Sequence, residues 1–281
     1  MIELDAYIDR VKKLPPAPQL LPELLTLLNQ PNIDSDRVVR LITFDPALTA
    51  SVLQLCNSAS QASARPVINV DEAVVRLGFE HVYRLVAAIL GARALTPQEK
   101  NENSERLWRH SVTAAVAAQF IARHLGEDAN LAFTAALLHD IGKIILSDAG
   151  PETYSRLVKE VEDNQYSLLE AEKRVLGVEH SAIGGRLLAR WKFPLTIVSA
   201  VWFHHYPVAA RPYERWAACV YLGDLVASLI GHDSGGQALA VQSRGEALRI
   251  LRLNVDSLAR FMGGTTAELE TLSCLFKAKT K

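Results

Sequence analysis

Apolar residues recur along this chain at intervals of three and four, as in Leu48, Val52 and Leu55, and no sustained alternation of apolar and polar positions appears. That periodicity predicts an all-α protein. In the first part, Pro22 opens a short helix through Leu28, Asp34 or Ser35 caps the next, and Asp45-Pro46 starts one running to about Ala59. Asp71 caps a helix that stops at Gly78, and another runs from about Glu80 to Ala94. Thr96 to Asn103 is the most polar stretch of the first half, and the boundary between two helical subdomains, 1–95 and 104–281, is placed there. Beyond it, Ser104 caps a long helix to Leu125, and helices follow over Leu131 to Ile145, Pro151 to Asn164, His180 to Lys192, Pro194 to His205 and Trp216 to Ile230. Ser167 with Glu170 forms a capping box for one more. Two last helices are expected near Val255 to Met262 and Thr266 to Lys277.

Composition narrows the class of protein. The 281 residues are 49 % hydrophobic and 22 % charged with a net charge of −1, which argues against a dedicated nucleic-acid or membrane-surface binder. Cys56, Cys219 and Cys274 are far apart and form no CxxC, so they read as buried small hydrophobes in a reducing compartment. Met1-Ile2-Glu3-Leu4-Asp5 is polar and acidic where a signal peptide would be basic and apolar, and the longest apolar stretch, Trp216 to Ile230, contains Asp224 and is short for a membrane span. A cytoplasmic location is expected.

The chemistry concentrates in the second half. Ala135-Ala136-Leu137-Leu138 leads into His139-Asp140, a histidine and a carboxylate side by side on a segment that should be buried. Buried polar groups need partners, and a divalent cation suits both at once. His110, His139, Asp140 and Asp224 make a four-ligand set from three helices, and His180, His204 and His205 make a second, with Asp140 bridging. Two ions so placed polarise a phosphoryl oxygen, and Lys143, one turn after Asp140, faces the phosphate. Taken singly, each residue has a blander explanation. His110 alone is a satisfied core or surface histidine, and His204-His205 suit a helix C-terminus through the dipole. The ordered set outweighs those readings, while His81, His124 and His232 fit no pattern and are read as surface residues.

Several first-half segments resemble the HDOD family, the HD-related output domains of bacterial signalling. They are Leu14-Pro15-Pro16-Ala17-Pro18, Ile42-Thr43-Phe44-Asp45-Pro46-Ala47-Leu48-Thr49, Leu53-Gln54-Leu55-Cys56-Asn57-Ser58-Ala59 and Ala73-Val74-Val75-Arg76-Leu77-Gly78, and the likeness covers about residues 10–230. It implies an N-terminal helical subdomain packed against an HD-type bundle, and a regulatory role for which many members dispense with the metal ligands. Here the second half is similar to the HD and HD-GYP phosphohydrolases. His110 matches their first histidine, His139-Asp140 the namesake pair, Lys143 the lysine of the HD-x-GK run, His180 and His204-His205 the further histidines, and Asp224 the closing aspartate. Tyr206-Pro207-Val208-Ala209 replaces the Gly-Tyr-Pro loop, and Arg106 stands where three-metal members place a glutamate, with Glu105 one residue off. These departures speak against a trinuclear site and against cyclic-di-GMP. The expectation is a signalling protein holding one or two divalent ions, Fe or Mn before Zn or Mg, with a signalling partner or nucleotide-type ligand and no direct nucleic-acid binding. The alternatives are an active metal-dependent phosphohydrolase, with Asp140 and Lys143 as its catalytic residues, and a metal-free scaffold.

Overall fold

A computed structural model describes residues 4–10, 23–24, 26–27, 32–43, 49, 52–53, 69–95, 102–164, 167–232 and 243–271. Among these there is no strand, and the all-α expectation holds. The helices are α1 (Leu4–Arg10), α2 (Ser35–Thr43), α3 (Val70–Leu77), α4 (Phe79–Leu95), α5 (Glu102–Leu125), α6 (Ala129–Leu138), α7 (Ile141–Ala149) and α8 (Pro151–Asn164). They continue with α9 (Leu168–Leu176), α10 (His180–Arg190), α11 (Leu195–Trp202), a 3-10 turn at Pro207–Ala210, α12 (Glu214–Leu229), α13 (Arg244–Leu251) and α14 (Asp256–Thr271).

Local chemistry explains most of the boundaries. Asp34, the first of the two expected caps, accepts from the Arg37 amide at 3.0 Å. Asn69, and not Asp71, caps α3 by accepting from the Glu72 amide, because the helix starts one residue before Asp71. Ser167 accepts from the Glu170 amide as its capping role requires. Ser104, expected as a cap, lies inside α5, which begins at Glu102. Three larger expectations are also revised. The helix drawn from Leu131 to Ile145 breaks at His139-Asp140 into α6 and α7. The two C-terminal helices are one, α14, which runs through Gly263-Gly264 because the Phe120 ring occupies the space a side chain at Gly264 would need. His204 and His205 lie in the turn after α11 instead of in its last turn. The expected helices around Pro22 and Asp45-Pro46 lie mostly outside the described residues, as do Cys56 and Cys274; Cys219 is buried as expected.

The centre of the bundle is the long helix α5, packed against α6, α12 and α14. Its middle turns, with Val112, Ala114, Ala115, Ala117 and Ala118, are buried all round and mostly small, so neighbouring backbones come close. At Gly223 of α12 an added Cβ would stand 2.6 Å from the Ala114 carbonyl oxygen. A side chain there would hold α5 and α12 apart, and Asp224 is the next residue. The stretch Ala129–Ala149 is apolar and long enough to pass for a membrane span by composition, but 83 % of that segment's most apolar window is buried inside the fold. It is core, interrupted by the two polar residues that matter most.

Candidate metal centre

All seven residues of the expected ligand set converge. His110 comes from α5, His139 and Asp140 from the α6–α7 break, His180 from the first position of α10, His204 and His205 from the turn after α11, and Asp224 from α12. Each is at most 5 % exposed. The break at His139-Asp140 has a visible cause. Asp140 leaves helical geometry at φ −96° and ψ 8°, and its carbonyl accepts from the Lys143 amide to start α7. The kink sends the two adjacent side chains into one space, which a straight helix would divide by about 100°.

On one side, His110 Nε2 stands 3.2 Å from Asp224 Oδ1, 3.3 Å from His139 Nε2 and 3.6 Å from Asp140 Oδ2. His139 Nε2 is 3.4 Å from the same Asp140 oxygen. On the other side, His180 Nε2 is 3.2 Å from Asp140 Oδ1 and 3.1 Å from His205 Nε2. His204 falls within 4.8 Å of both groups, one with His139 and Asp140, the other with His180 and His205. The two oxygens of Asp140 thus face different clusters. Ligands about 2.1 Å from a shared ion lie about 3.0–3.4 Å apart in octahedral or tetrahedral arrangement, and the shorter of these separations fall in that window.

The protons are already committed. Nδ1 of His110 donates to the His232 carbonyl at 2.7 Å, that of His139 to Ala136 at 2.6 Å and that of His204 to Val201 at 2.7 Å. A carbonyl only accepts, so Nδ1 carries hydrogen in each ring and Nε2 presents a lone pair inward when the ring is neutral. The Nε2 atoms of neutral His110 and His139 then face one another with no hydrogen between them, and His204 Nε2 is buried without a hydrogen bond. A cation answers both, so the donor set fits a divalent ion.

Electrostatics divide the group. Burial works against ionisation of Asp140, yet His139, Lys143 and His180 hold its carboxyl well below the usual carboxylate range. Asp224 behaves alike, drawn down to about 2 by His110 and His139 against the effect of burial. Burial, together with neighbouring histidines, pushes His204 down to about 3 and His205 well below its ordinary value; burial also lowers His139. His180 goes the other way: burial opposes its cation, but Glu172 and Asp140 outweigh it and raise the ring to about 9. In His110 the opposing burial is likewise overcome, here by Asp224. Lys143 Nζ donates to Asp140 Oδ2 at 2.8 Å and is 6 % exposed, so it holds the carboxylate in place.

Two participants escape the sequence reading. Glu172 is fully buried, with Oε2 2.8 Å from both the amide and Nδ1 of His180. Its signal is its place on the apolar stripe of α9 with Leu168 and Ala171. His232, expected at the surface, is half-buried: its carbonyl receives His110, and its Nδ1 donates to Thr113 Oγ1 at 2.6 Å. No residue pattern announces a backbone carbonyl. His81 and His124 are exposed, as expected.

Comparison with known proteins fits this picture. The HDOD domain profile matches residues 14–207. Over 220 residues the chain is 26 % identical to an uncharacterised protein of Treponema pallidum, covering 77 % of this chain and 42 % of that one. Over 134 residues it is 27 % identical to ribonuclease Y of Petrotoga mobilis, covering 48 % of this chain and 20 % of that enzyme. The chain therefore spans less than half the length of each of these relatives. Among solved structures, an HDOD domain protein of unknown function from Geobacter sulfurreducens superposes with a TM-score of 0.73 at 25 % identity, over 98 % of this chain and 95 % of that one. A Shewanella amazonensis protein named "Putative phosphohydrolase" superposes with a TM-score of 0.72 at 26 % identity, over 96 % of each chain.

Proposed function

The chain belongs to the HDOD family, and we propose that it is a bacterial signal-transduction module whose conformation is set by an occupied HD-type metal centre. His110, His139, Asp140 and Asp224 would hold one divalent ion, and His180, His204 and His205 a second, with Asp140 serving both. Fe or Mn suits this nitrogen and carboxylate set, Zn or Mg less so. Such an ion supplies Lewis acidity toward a phosphoryl oxygen and balances the charge of two buried carboxylates.

The observation that carries the reading is a complete donor set that is also closed, each of the seven side chains being at most 5 % exposed. Helices from across the second half meet at this one point, so filling or emptying it bears on how α5, α7, α10 and α12 pack. Lys143 fixes Asp140, and the carbonyls of His232, Ala136 and Val201 fix three rings, so the site is pre-organised by its surroundings. We further divide the chain into an N-terminal subdomain, 1–95, and a metal-binding one, 104–281, working in the cytoplasm with a signalling partner or a nucleotide-type ligand.

A second reading is a metal-dependent phosphohydrolase. The completeness of the ligand set and the similarity to the Shewanella amazonensis protein and to ribonuclease Y favour it. In that case Asp140 and Lys143 would carry the reaction, Lys143 steadying the phosphoryl group. Asp140→Ala separates the possibilities. Elemental analysis of wild-type protein should give one or two ions per chain, and the variant should lose them. If metal-loaded wild type also hydrolyses bis(p-nitrophenyl) phosphate and the variant does not, the enzyme reading prevails. Full metal content in Asp140→Ala would overturn the ligand assignment itself.

A further inference from the structure

Four rings of the centre are held through a hydrogen bond at Nδ1, and they are not held alike. His110, His139 and His204 donate from Nδ1 to backbone carbonyls, whereas His180 donates to the Glu172 carboxylate. Glu172 belongs to α9, eight residues earlier. Gly177 ends α9 in the left-handed region at φ 76°, a conformation glycine adopts without strain, and the chain turns back so that His180 opens α10 beside Glu172. The carboxylate is fully used. Oε2 accepts from both the amide and Nδ1 of His180, at 2.8 Å each, and Oε1 accepts from the Tyr154 hydroxyl of α8, also at 2.8 Å. With both oxygens occupied by donors, Glu172 is not placed to be a ligand. It acts through His180.

We propose that Glu172, oriented by Tyr154, is a positioning residue that selects occupancy of the second ion, the one assigned to His180, His204 and His205, and leaves the first untouched. This rests on the two-ion reading above. The physical reason is that an anionic acceptor on Nδ1 fixes the ring orientation and makes Nε2 a stronger donor than a neutral carbonyl does. The same carboxylate occupies the N-terminus of α10, whose own cap residue, Glu179, makes no side-chain capping bond, so His180 is fixed in main chain and ring by one group.

The test is manganese(II) binding by the full-length, metal-stripped chain, read as ions per chain by elemental analysis after dialysis and as the electron paramagnetic resonance spectrum. Wild type should bind two ions and show the signature of an exchange-coupled pair. Glu172→Gln should keep one ion at wild-type affinity, weaken the other about 10–100-fold, and show an isolated Mn(II) signal at limiting metal. A purely structural role would lower both affinities together. Equal loss of both ions, or two ions bound as in wild type, overturns the inference while leaving the two-ion reading in place. No uptake by wild type overturns both. If Glu172→Gln does not fold, Tyr154→Phe decides: selective weakening of one ion supports the assignment, and equal or absent effects refute it.

Discussion

The crossing of α7 and α10 has a margin that can be measured against one methyl group. A Cβ on Gly142 would lie 1.9 Å from the His180 carbonyl oxygen, 2.8 Å from its carbon and 2.9 Å from the Gly184 amide nitrogen, all of them backbone atoms that no rotamer change can move aside. Carbon-to-oxygen contacts begin at about 3.3 Å, so Gly142→Ala must part the helices by about 1.4 Å, the difference between 3.3 and the 1.9 Å above. His180 Nε2 and Asp140 Oδ1 are 3.2 Å apart and sit on either side of that crossing, while metal–ligand distances tolerate only about 0.2 Å. Overpacking costs about 1–3 kcal/mol, and replacing a helical glycine by alanine returns about 1 kcal/mol. The net is about 0–2 kcal/mol, small enough for the fold to survive while the His180 side of the centre is lost. Elemental analysis should find about one ion fewer per chain, and thermal melts of metal-free protein should fall by only a few degrees. Gly245→Ala, where a Cβ meets nothing within 4 Å, is the control and should leave metal content unchanged, with a melt no lower than that of wild type. Wild-type metal content in Gly142→Ala would refute the claim that this close approach positions His180.

Arg84 is almost fully buried in α4 and pairs with Glu268 of α14, so Glu268→Ala leaves a buried guanidinium without its carboxylate and should cost about 1–3 kcal/mol in urea denaturation; an unchanged midpoint would show that Arg84 is satisfied by other means. At the outer surface, Arg186 and Arg190 of α10 grip Asp5 and Asp9 of α1. The hydrogen bond from Arg186 holds the Asp5 carboxyl below its usual value, with burial opposing and the charges of Arg186 and Arg190 adding to the effect. A depressed value contributes stability above the ordinary carboxylate range and loses it as pH falls through the lowered one, so α1 should loosen before the bundle below about pH 4. Asp5→Asn should raise hydrogen exchange in residues 4–10 already at neutral pH with metal content unchanged, and equal protection in both proteins would sink the idea.

Much of this centre was legible because its residues are chemically conspicuous where they stand. An aspartate inside Leu222-Gly223-Asp224-Leu225, or His139-Asp140 after four apolar and small residues, violates the apolar pattern unless something compensates, and all seven such positions meet in space. The periodicity also placed most helices to within a residue or two. It failed where tertiary contacts decide. The pattern runs unbroken through His139-Asp140, yet the carboxylate tied to Lys143 and the tight approach of Gly142 to α10 favour a kink. Gly263-Gly264 reads as a stop, yet the Phe120 ring fills the groove it leaves and α14 continues. Glu172 is inconspicuous, a glutamate in a charged helix, until its stripe with Leu168 and Ala171 is counted.

His180 is held at two levels, and they are separate. The glycine crossing sets its main chain: Gly142 and Gly184 let α7 and α10 touch, and a Cβ on Gly184 would already sit 3.3 Å from the Gly142 nitrogen. Glu172 sets its ring. On the opposite side of the centre the same division appears, with Gly223 drawing α12 onto α5 to bring Asp224 to His110, and the His232 carbonyl turning the His110 ring. Main-chain approach is encoded by small residues beside the ligands, and ring orientation by acceptors outside the ligand set, from the preceding turn for His139 and His204 to a distant loop for His110. Both devices converge on seven side chains nearly closed to solvent, and under the proposed function that closure suits ions that organise the packing better than ions that turn over substrate.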